Sequence, residues 1–252
     1  MKVVIIGAGN VASVLGRLIK NAGYDVIQVV SRQIGHAAIL ADELGAEYTD
    51  QNGALNMKGD IYLVAITDSG INEIHNCFQL EGKLVMHTAG SVSIDALAKA
   101  STRHGVLYPL QSLRKENYHL YQDIPILVDG NTEETVAEIE QFALSISSSV
   151  ERANDEARLK LHLAAVIVNN FTNHMYELAA DYCEKSGVNF KMLQPLIEET
   201  ALRLRDHSPV DMQTGPAIRK DITTLDRHLR ELAAYPKLRN VYLKITDSIM
   251  NN

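Results

Sequence analysis

The chain has 252 residues, 46% hydrophobic and 22% charged, which suits one large domain or two smaller ones around a real core. Its formal net charge of -7 and pI near 5.7 argue against nucleic acid as a partner. No apolar stretch is long enough to span a membrane, and Gly7 interrupts the opening apolar run too early for a signal peptide, so a cytoplasmic location is expected.

In chain order, the first half alternates β-branched runs with helical segments. Val3–Ile6 reads as a strand, Asn10–Ala22 as a helix, Val26–Val30 as a strand and 35–44 as a helix. Further short strands are expected at Ile61–Ile66, Leu84–His87, Gly105–Tyr108 and Ile124–Val128, then a helix over Glu133–Leu144. Such alternation predicts βαβ units and a mostly parallel sheet. Beyond residue 149 the pattern becomes helical throughout. Asn154 is a good N-cap, and the pattern runs to Lys185, where Ser186-Gly187 is a stop. At 1.5 Å per residue this helix is on the order of 46 Å long. Its middle, Leu161 to Phe171, is apolar on nearly every side, which predicts burial on every side. Helices follow near Leu196–Arg205, Ile222–Ala233 and Lys237–Met250. The expected fold is α/β, an N-terminal Rossmann doubly wound parallel sheet with a C-terminal all-helical domain, divided as 1–152 and 153–252. Cys77 and Cys183 form no metal or disulfide pattern and read as reduced thiols, and no metal is expected.

Gly7-Ala8-Gly9-Asn10-Val11-Ala12 is a G-x-G-x-x-A fingerprint between a strand and a helix, the context that gives the motif its meaning. Gly7 permits the tight turn, Gly9 lets backbone approach a pyrophosphate, and Ala12 is small where helix meets strand. The free N–H groups of Asn10, Val11 and the rest of the first turn then face the phosphates. NAD sites usually place an acid about 20 residues on, at the ribose 2′-OH. Here Ser31-Arg32 occupies that place, a hydroxyl and a guanidinium suited to a 2′-phosphate, so the expected cofactor is NADP(H). Thr67, Asp68 and Ser69 after one strand, and His87 and Thr88 in the next, should border the ribose and nicotinamide. Thr67 and Ser69 read equally as helix caps, and His87 reads more readily as a buried structural histidine than as a catalytic one.

Taken together, the Gly-x-Gly-Asn-Val-Ala turn, Ser31-Arg32, His87-Thr88-Ala89-Gly90-Ser91 and Tyr108-Pro109-Leu110-Gln111-Ser112 resemble the Rossmann-like NADP oxidoreductases that carry a helical C-terminal domain of unknown function. Thr214-Gly215-Pro216-Ala217-Ile218-Arg219-Lys220-Asp221, with Thr224 and Arg227-His228-Leu229, resembles the signature of that helical domain. More distantly the chain is similar to pyrroline-5-carboxylate reductases and β-hydroxyacid dehydrogenases. The resemblance implies hydride transfer between NADP(H) and a small carbonyl, imine or hydroxy acid, and a homodimer made through the long helices. β-Hydroxyacid dehydrogenases carry Lys-x-x-Asn-Asn on the first long helix of the second domain. Here the run is Val166-Ile167-Val168-Asn169-Asn170, with valine where that family has its proton-transferring lysine.

The chemistry therefore needs another proton carrier. On the long helix His162, Asn169 and Asn173 are spaced by seven and four residues, which predicts one shared face, and Asn170 and His174 form a neighbouring pair. His162 is the best titratable candidate there, with His87 second; Asn169 joins them as a candidate, since the asparagines of so apolar a helix must find partners, either substrate or loop backbone. Gln111 and Ser112 either bind substrate or shape their turn. Pro216 reads as a first-turn residue of a helix, with Gly215 a tight cap. A rival expectation from another class is a non-catalytic sensor of NADP(H), which the valine at position 166 favours.

Overall fold

The structure, a computed structural model, describes residues 1–121 and 123–251. It divides into two compact units, 1–169 and 170–252.

The first unit is built on an eight-stranded sheet. Its elements are β1 (Lys2–Ile6), α1 (Asn10–Asn21), β2 (Asp25–Val30), α2 (Ile34–Leu44), β3 (Glu47–Thr49), β4 (Ile61–Val64), α3 (Asp68–Asn72), β5 (Leu84–His87), β6 (Arg103–Pro109), β7 (Ile126–Gly130), α4 (Glu133–Leu144), β8 (Val150–Arg152) and α5 (Asp155–Ala165). Strand order is β3-β2-β1-β4-β5-β6-β7-β8, so the winding reverses between β1 and β4. Every pairing is parallel except β6 with β7. The doubly wound sheet expected from the alternating pattern is thus present. The short strands β3 and β8 and the five-residue α3 were not expected, because three to five residues carry too little periodicity to register.

Both faces of the sheet are covered, which is why its strands read as continuous apolar runs rather than as alternation. Val3 and Ile5 pack with Ala12, Leu15, Leu40, Ile139 and Phe142 from the helices on one face. Val4, Ile6, Tyr62, Val64 and Val85 pack with Ile71, Phe78 and Leu97 on the other. The cap that the sequence marks at Asn154 is present, and Thr132 caps α4 in the same way. Thr132 Oγ1 accepts from Thr135 N at 3.1 Å and Asn154 Oδ1 from Ala157 N at 3.0 Å.

After α5 the helix widens into a π-helical stretch, Val166–Phe171. Three β-branched residues and two asparagines stand there, all weak helix formers. The elements of the second unit are α6 (Thr172–Lys185), α7 (Gln194–Leu202), α8 (Ile222–Glu231) and α9 (Pro236–Met250), joined by 3-10 turns and loops. Pro216 is not in a helical first turn. Gly215 turns with φ +106°, and α8 begins only at Ile222, where Asp221 caps it by accepting from Thr224 N at 3.1 Å and from Thr224 Oγ1 at 2.7 Å.

The expected burial of the apolar helix is not met within one chain. Leu163 is 59% exposed, Val168 71% and Phe171 59%. Only Cys183, Ala217, Leu225 and Leu232 are buried hydrophobic residues among those described in the second unit. An apolar helix needs cover, and one chain does not supply it.

Candidate active site

The carboxyl ends of the parallel strands converge where the sheet order reverses, the edge at which open α/β sheets bind ligands. Gly7 leaves β1 with φ +125°, and its N–H donates to Val30 O at 2.7 Å. A Cβ at Gly7 would lie 2.1 Å from Ala65 O, so no other residue makes this turn without moving β4's exit. Gly9 is the opposite case. It is exposed, and a Cβ there would meet nothing within 4 Å, so the space in front of its backbone is open. Gly9 is also the N-cap of α1 and offers no side-chain cap. The first-turn N–H groups of Asn10, Val11 and Ala12 therefore remain available to an anion, with the positive end of the helix dipole behind them. Asn10 Oδ1 is spent elsewhere, accepting from Lys115 N at 3.3 Å. Ala12 is fully buried among Val3 and Ile5, as its small size requires. This open, donor-rich cradle fits a pyrophosphate.

Ser31 and Arg32 follow β2 directly. Arg32 is exposed and makes no hydrogen bond or ion pair among the described residues. The exit of β4 carries Thr67, Asp68 and Ser69, all exposed. Thr67 stands at the N-cap position of α3 without a capping bond, its Oγ1 lying 3.4 Å from Ser69 Oγ. Asp68 Oδ2 accepts from Ser91 Oγ at 2.6 Å, which joins the β4 and β5 exits. Thr88 is buried, its N–H donating to Val64 O at 3.2 Å.

His87 closes β5 with no exposed surface, and Ala89 N donates to its Nδ1 at 3.2 Å. Nδ1 is therefore unprotonated and the neutral ring carries its hydrogen on Nε2. The Ser93 backbone favours the protonated ring, while Nε2 has no hydrogen-bond partner among the described residues. Burial first, then the Arg158 guanidinium, lower the His87 pKa to about 4. This is a sealed, neutral imidazole, the structural form.

His162 is in a different situation. It is half-buried on α5, with Nδ1 3.0 Å from Tyr108 Oη, and the rings meet edge-on at 6.0 Å. Tyr108 is the penultimate residue of β6. Both rings rest on Gly90, where a Cβ would come within 2.8 Å of His162 Nδ1 and of Tyr108 Cζ. Burial raises the phenol's pKa, the Arg158 charge lowers it and Asp68 raises it again.

Arg158 stands one helical turn before His162 and is 1% exposed. Its Nη2 donates to Val92 O and to Asp155 Oδ1, each at 2.6 Å. Asp155 also accepts from Ile94 N at 3.1 Å. The start of α5 is thus bolted to the loop that leaves β5. Tyr108, Arg158 and Asp155 were not among the residues that sequence reasoning placed in the site. The signal for Arg158 was its i, i+4 spacing from His162 on the same helix.

Asn169 is exposed, and its side chain makes no hydrogen bond among the described residues. The face expected to hold His162 and Asn169 assumed 3.6 residues per turn. The π-helical stretch between them has more, which rotates the later residue away from that register. In the second unit His174 Nδ1 lies 2.9 Å from Glu177 Oε2. Gln111 and Ser112 shape their turn, Gln111 Oε1 accepting from Ser112 N at 2.9 Å and Ser112 O from Tyr121 Oη at 3.1 Å.

With this geometry in view, comparison with known proteins places the chain. Residues 124–249 match the model described as a domain of unknown function, DUF2520. The chain belongs to the DUF2520 family. Residues 2–91 match the model described as NADP oxidoreductase, coenzyme F420-dependent. A solved structure described as a "putative NADP oxidoreductase" from Bacteroides fragilis is similar at 36% identity and TM-score 0.92, over 100% of this chain and 98% of that one. The fold is shared with 1-pyrroline-5-carboxylate reductase from Streptococcus pyogenes, at 16% identity, TM-score 0.68 and coverage of 100% and 99%. It is shared also with an imine reductase from Myxococcus stipitatus in complex with NADP+, at 14% identity, TM-score 0.58 and coverage of 100% and 92%. No curated protein matches the sequence.

Proposed function

We propose that this DUF2520 protein is an NADP(H)-dependent oxidoreductase acting on a small carbonyl, imine or hydroxy-acid substrate. The observation that carries the reading is the open backbone at Gly9, in front of an uncapped helix start and beside the reversal of strand order. The family match over residues 2–91 and the Bacteroides fragilis relative support it. Gly7, Gly9, Asn10, Val11 and Ala12 would hold the pyrophosphate, Ser31 and Arg32 the 2′-phosphate, and Thr67, Asp68, Ser69 and Thr88 would border the ribose and nicotinamide. When bound, the cofactor supplies or accepts the hydride. The chain's own part is to orient the substrate and move one proton. His162, half-buried and hydrogen-bonded, suits that task better than the sealed His87, which we assign a structural role. Asn169 is retained as an orienting group for substrate.

We further propose a homodimer formed through the helical part, residues 153–252, with residues 1–152 as the cofactor-binding domain. The exposed apolar residues of the long helix and the near absence of a core in the second unit support this, since a second copy would bury what one chain leaves open. Two free cysteines support a reducing, cytoplasmic setting. Among the described residues no helix is long and apolar enough to cross a membrane.

The experiment is a titration with NADPH and NADH of the wild type and of Arg32→Ala. Loss of the guanidinium should weaken NADPH by about ten-fold or more and leave NADH nearly unchanged. Equal loss for both removes the 2′-phosphate assignment, and no affinity for either removes the whole reading. The second reading, a non-catalytic sensor, is favoured by Val166 where the related dehydrogenases have lysine. Tight NADPH binding without oxidation by any ketoacid, aldehyde or imine would select it.

A further inference from the structure

We propose that Tyr108 is the catalytic residue that delivers the proton to the substrate, and that His162 restores it. The inference rests on the oxidoreductase reading above and names the acid within it.

Three observations converge. The first is contact: residues 54 apart in sequence place a phenol oxygen 3.0 Å from an imidazole nitrogen. The second is place. Tyr108 and His162 both lie against Gly90, in the loop leaving β5, whose Ser91 in turn bonds Asp68 at the exit of β4. The pair therefore stands at the ligand-binding edge of the sheet, whereas His87 is sealed beneath it. The third is rigidity. Arg158 ties α5 to Val92 O and, through Asp155, to Ile94 N, so the stretch that seats the two rings is also fixed to the helix that carries His162. A pair held from both sides by packing and hydrogen bonds is preorganised, as proton transfer requires.

The groups facing the phenol are Arg158 and His162 from α5 and Asp68 from the start of α3. Burial outweighs the Arg158 charge, so the phenol keeps its proton at neutral pH and has one to give. In the reductive direction, the carbon of the substrate C=O or C=N accepts hydride while its oxygen or nitrogen accepts the proton of Tyr108. The Oη–H bond breaks and its electron pair stays on Oη. The phenolate then takes the Nδ1 proton of protonated His162, and that same nitrogen, left with its lone pair, is reprotonated from solvent after the product leaves. NADPH is oxidised and the substrate reduced, with one solvent proton consumed. Oxidation of an alcohol or amine runs these steps backwards.

The test compares wild type, Tyr108→Phe and His162→Ala in three measurements. These are NADPH affinity, single-turnover NADPH oxidation with a cyclic imine, an α-ketoacid and an aldehyde, and the 15N spectrum of histidine-labelled protein. Tyr108→Phe should bind NADPH within about three-fold of wild type and slow turnover by about 100-fold or more. It should also shift the His162 Nδ1 resonance, because that nitrogen loses its partner. His162→Ala should slow turnover less and remove the limb of the pH–rate profile that reports reprotonation. A Tyr108→Phe rate within about three-fold of wild type overturns the proposal while leaving the oxidoreductase reading intact. Should Tyr108→Phe fail to fold, a His162→Ala rate and pH profile equal to wild type overturn it instead. Wild-type protein that oxidises NADPH with none of the probes overturns the oxidoreductase reading, and the proton role falls with it.

Discussion

Alanine at Gly7 and alanine at Gly9 should separate the two jobs of the glycine turn. At Gly7 the backbone has φ +125°, and the new Cβ would sit 2.1 Å from Ala65 O, a main-chain atom at the exit of β4. A residue held in so sparse a region costs about 1–3 kcal/mol, before the displaced carbonyl is counted. A total of roughly 3 kcal/mol, at 2–4 °C per kcal/mol for a chain of this size, lowers Tm by roughly 6–12 °C. At Gly9 φ is -84° and ψ -169°, an extended conformation open to alanine, and the Cβ meets nothing within 4 Å. Only its place at the N-cap carries a stability cost, below about 1 kcal/mol. That methyl does, however, occupy the space through which a pyrophosphate would reach the helix start. Loss of one or two hydrogen bonds to a charged group, about 1.5–3 kcal/mol, weakens NADPH by roughly 10–150-fold. Melting curves and NADPH fluorescence titrations on both variants give the answer. A Gly9→Ala protein that binds NADPH as wild type does would refute the close approach of backbone to phosphate. A Gly7→Ala protein melting within about 1 °C of wild type would refute the steric argument for the turn.

Gly90→Ala should lose turnover while keeping NADPH affinity, since its Cβ would meet both rings at 2.8 Å and must part Tyr108 from His162; unchanged kinetics would mean the pair is not needed. His87 predicts an acid limb of stability. Its folded pKa, about 4 against 6.5 for a free histidine, means the unfolded chain binds a proton first as pH falls. Its contribution is complete above about pH 6.5 and is lost progressively down to about pH 4, amounting to on the order of 3 kcal/mol. Denaturant midpoints between these limits should fall steeply for wild type and less for His87→Gln, and parallel curves would reject the assignment.

Several features of the site were legible because their physics is local. A strand, a glycine turn and a helix within the first two dozen residues announce a dinucleotide cradle, and the absence of an acid after β2 suggests which dinucleotide. Val166 was equally legible as a missing lysine. The long helix was legible in extent but not in surroundings. Its apolar middle demanded cover, and a single chain leaves Leu163, Val168 and Phe171 exposed. The asparagine face assumed a period of 3.6, and a π-helical stretch does not keep that period, which no residue pattern in Val166–Phe171 announced.

The amino-acid sequence alone determined the doubly wound sheet, the glycine turn and the helix that Asn154 caps, since each is written in contiguous residues through periodicity, capping and backbone freedom; the strand β8 at Val150–Arg152, where the sequence already read as helical, was not legible. Only the tertiary structure decided the chemistry of the edge. It sealed His87, opened His162 and set Tyr108 against it across 54 residues, with buried Arg158 fixing the helix behind them. No local pattern encodes such a meeting, because it depends on the loop after β5, the end of β6 and the start of α5 being packed at one corner of the sheet.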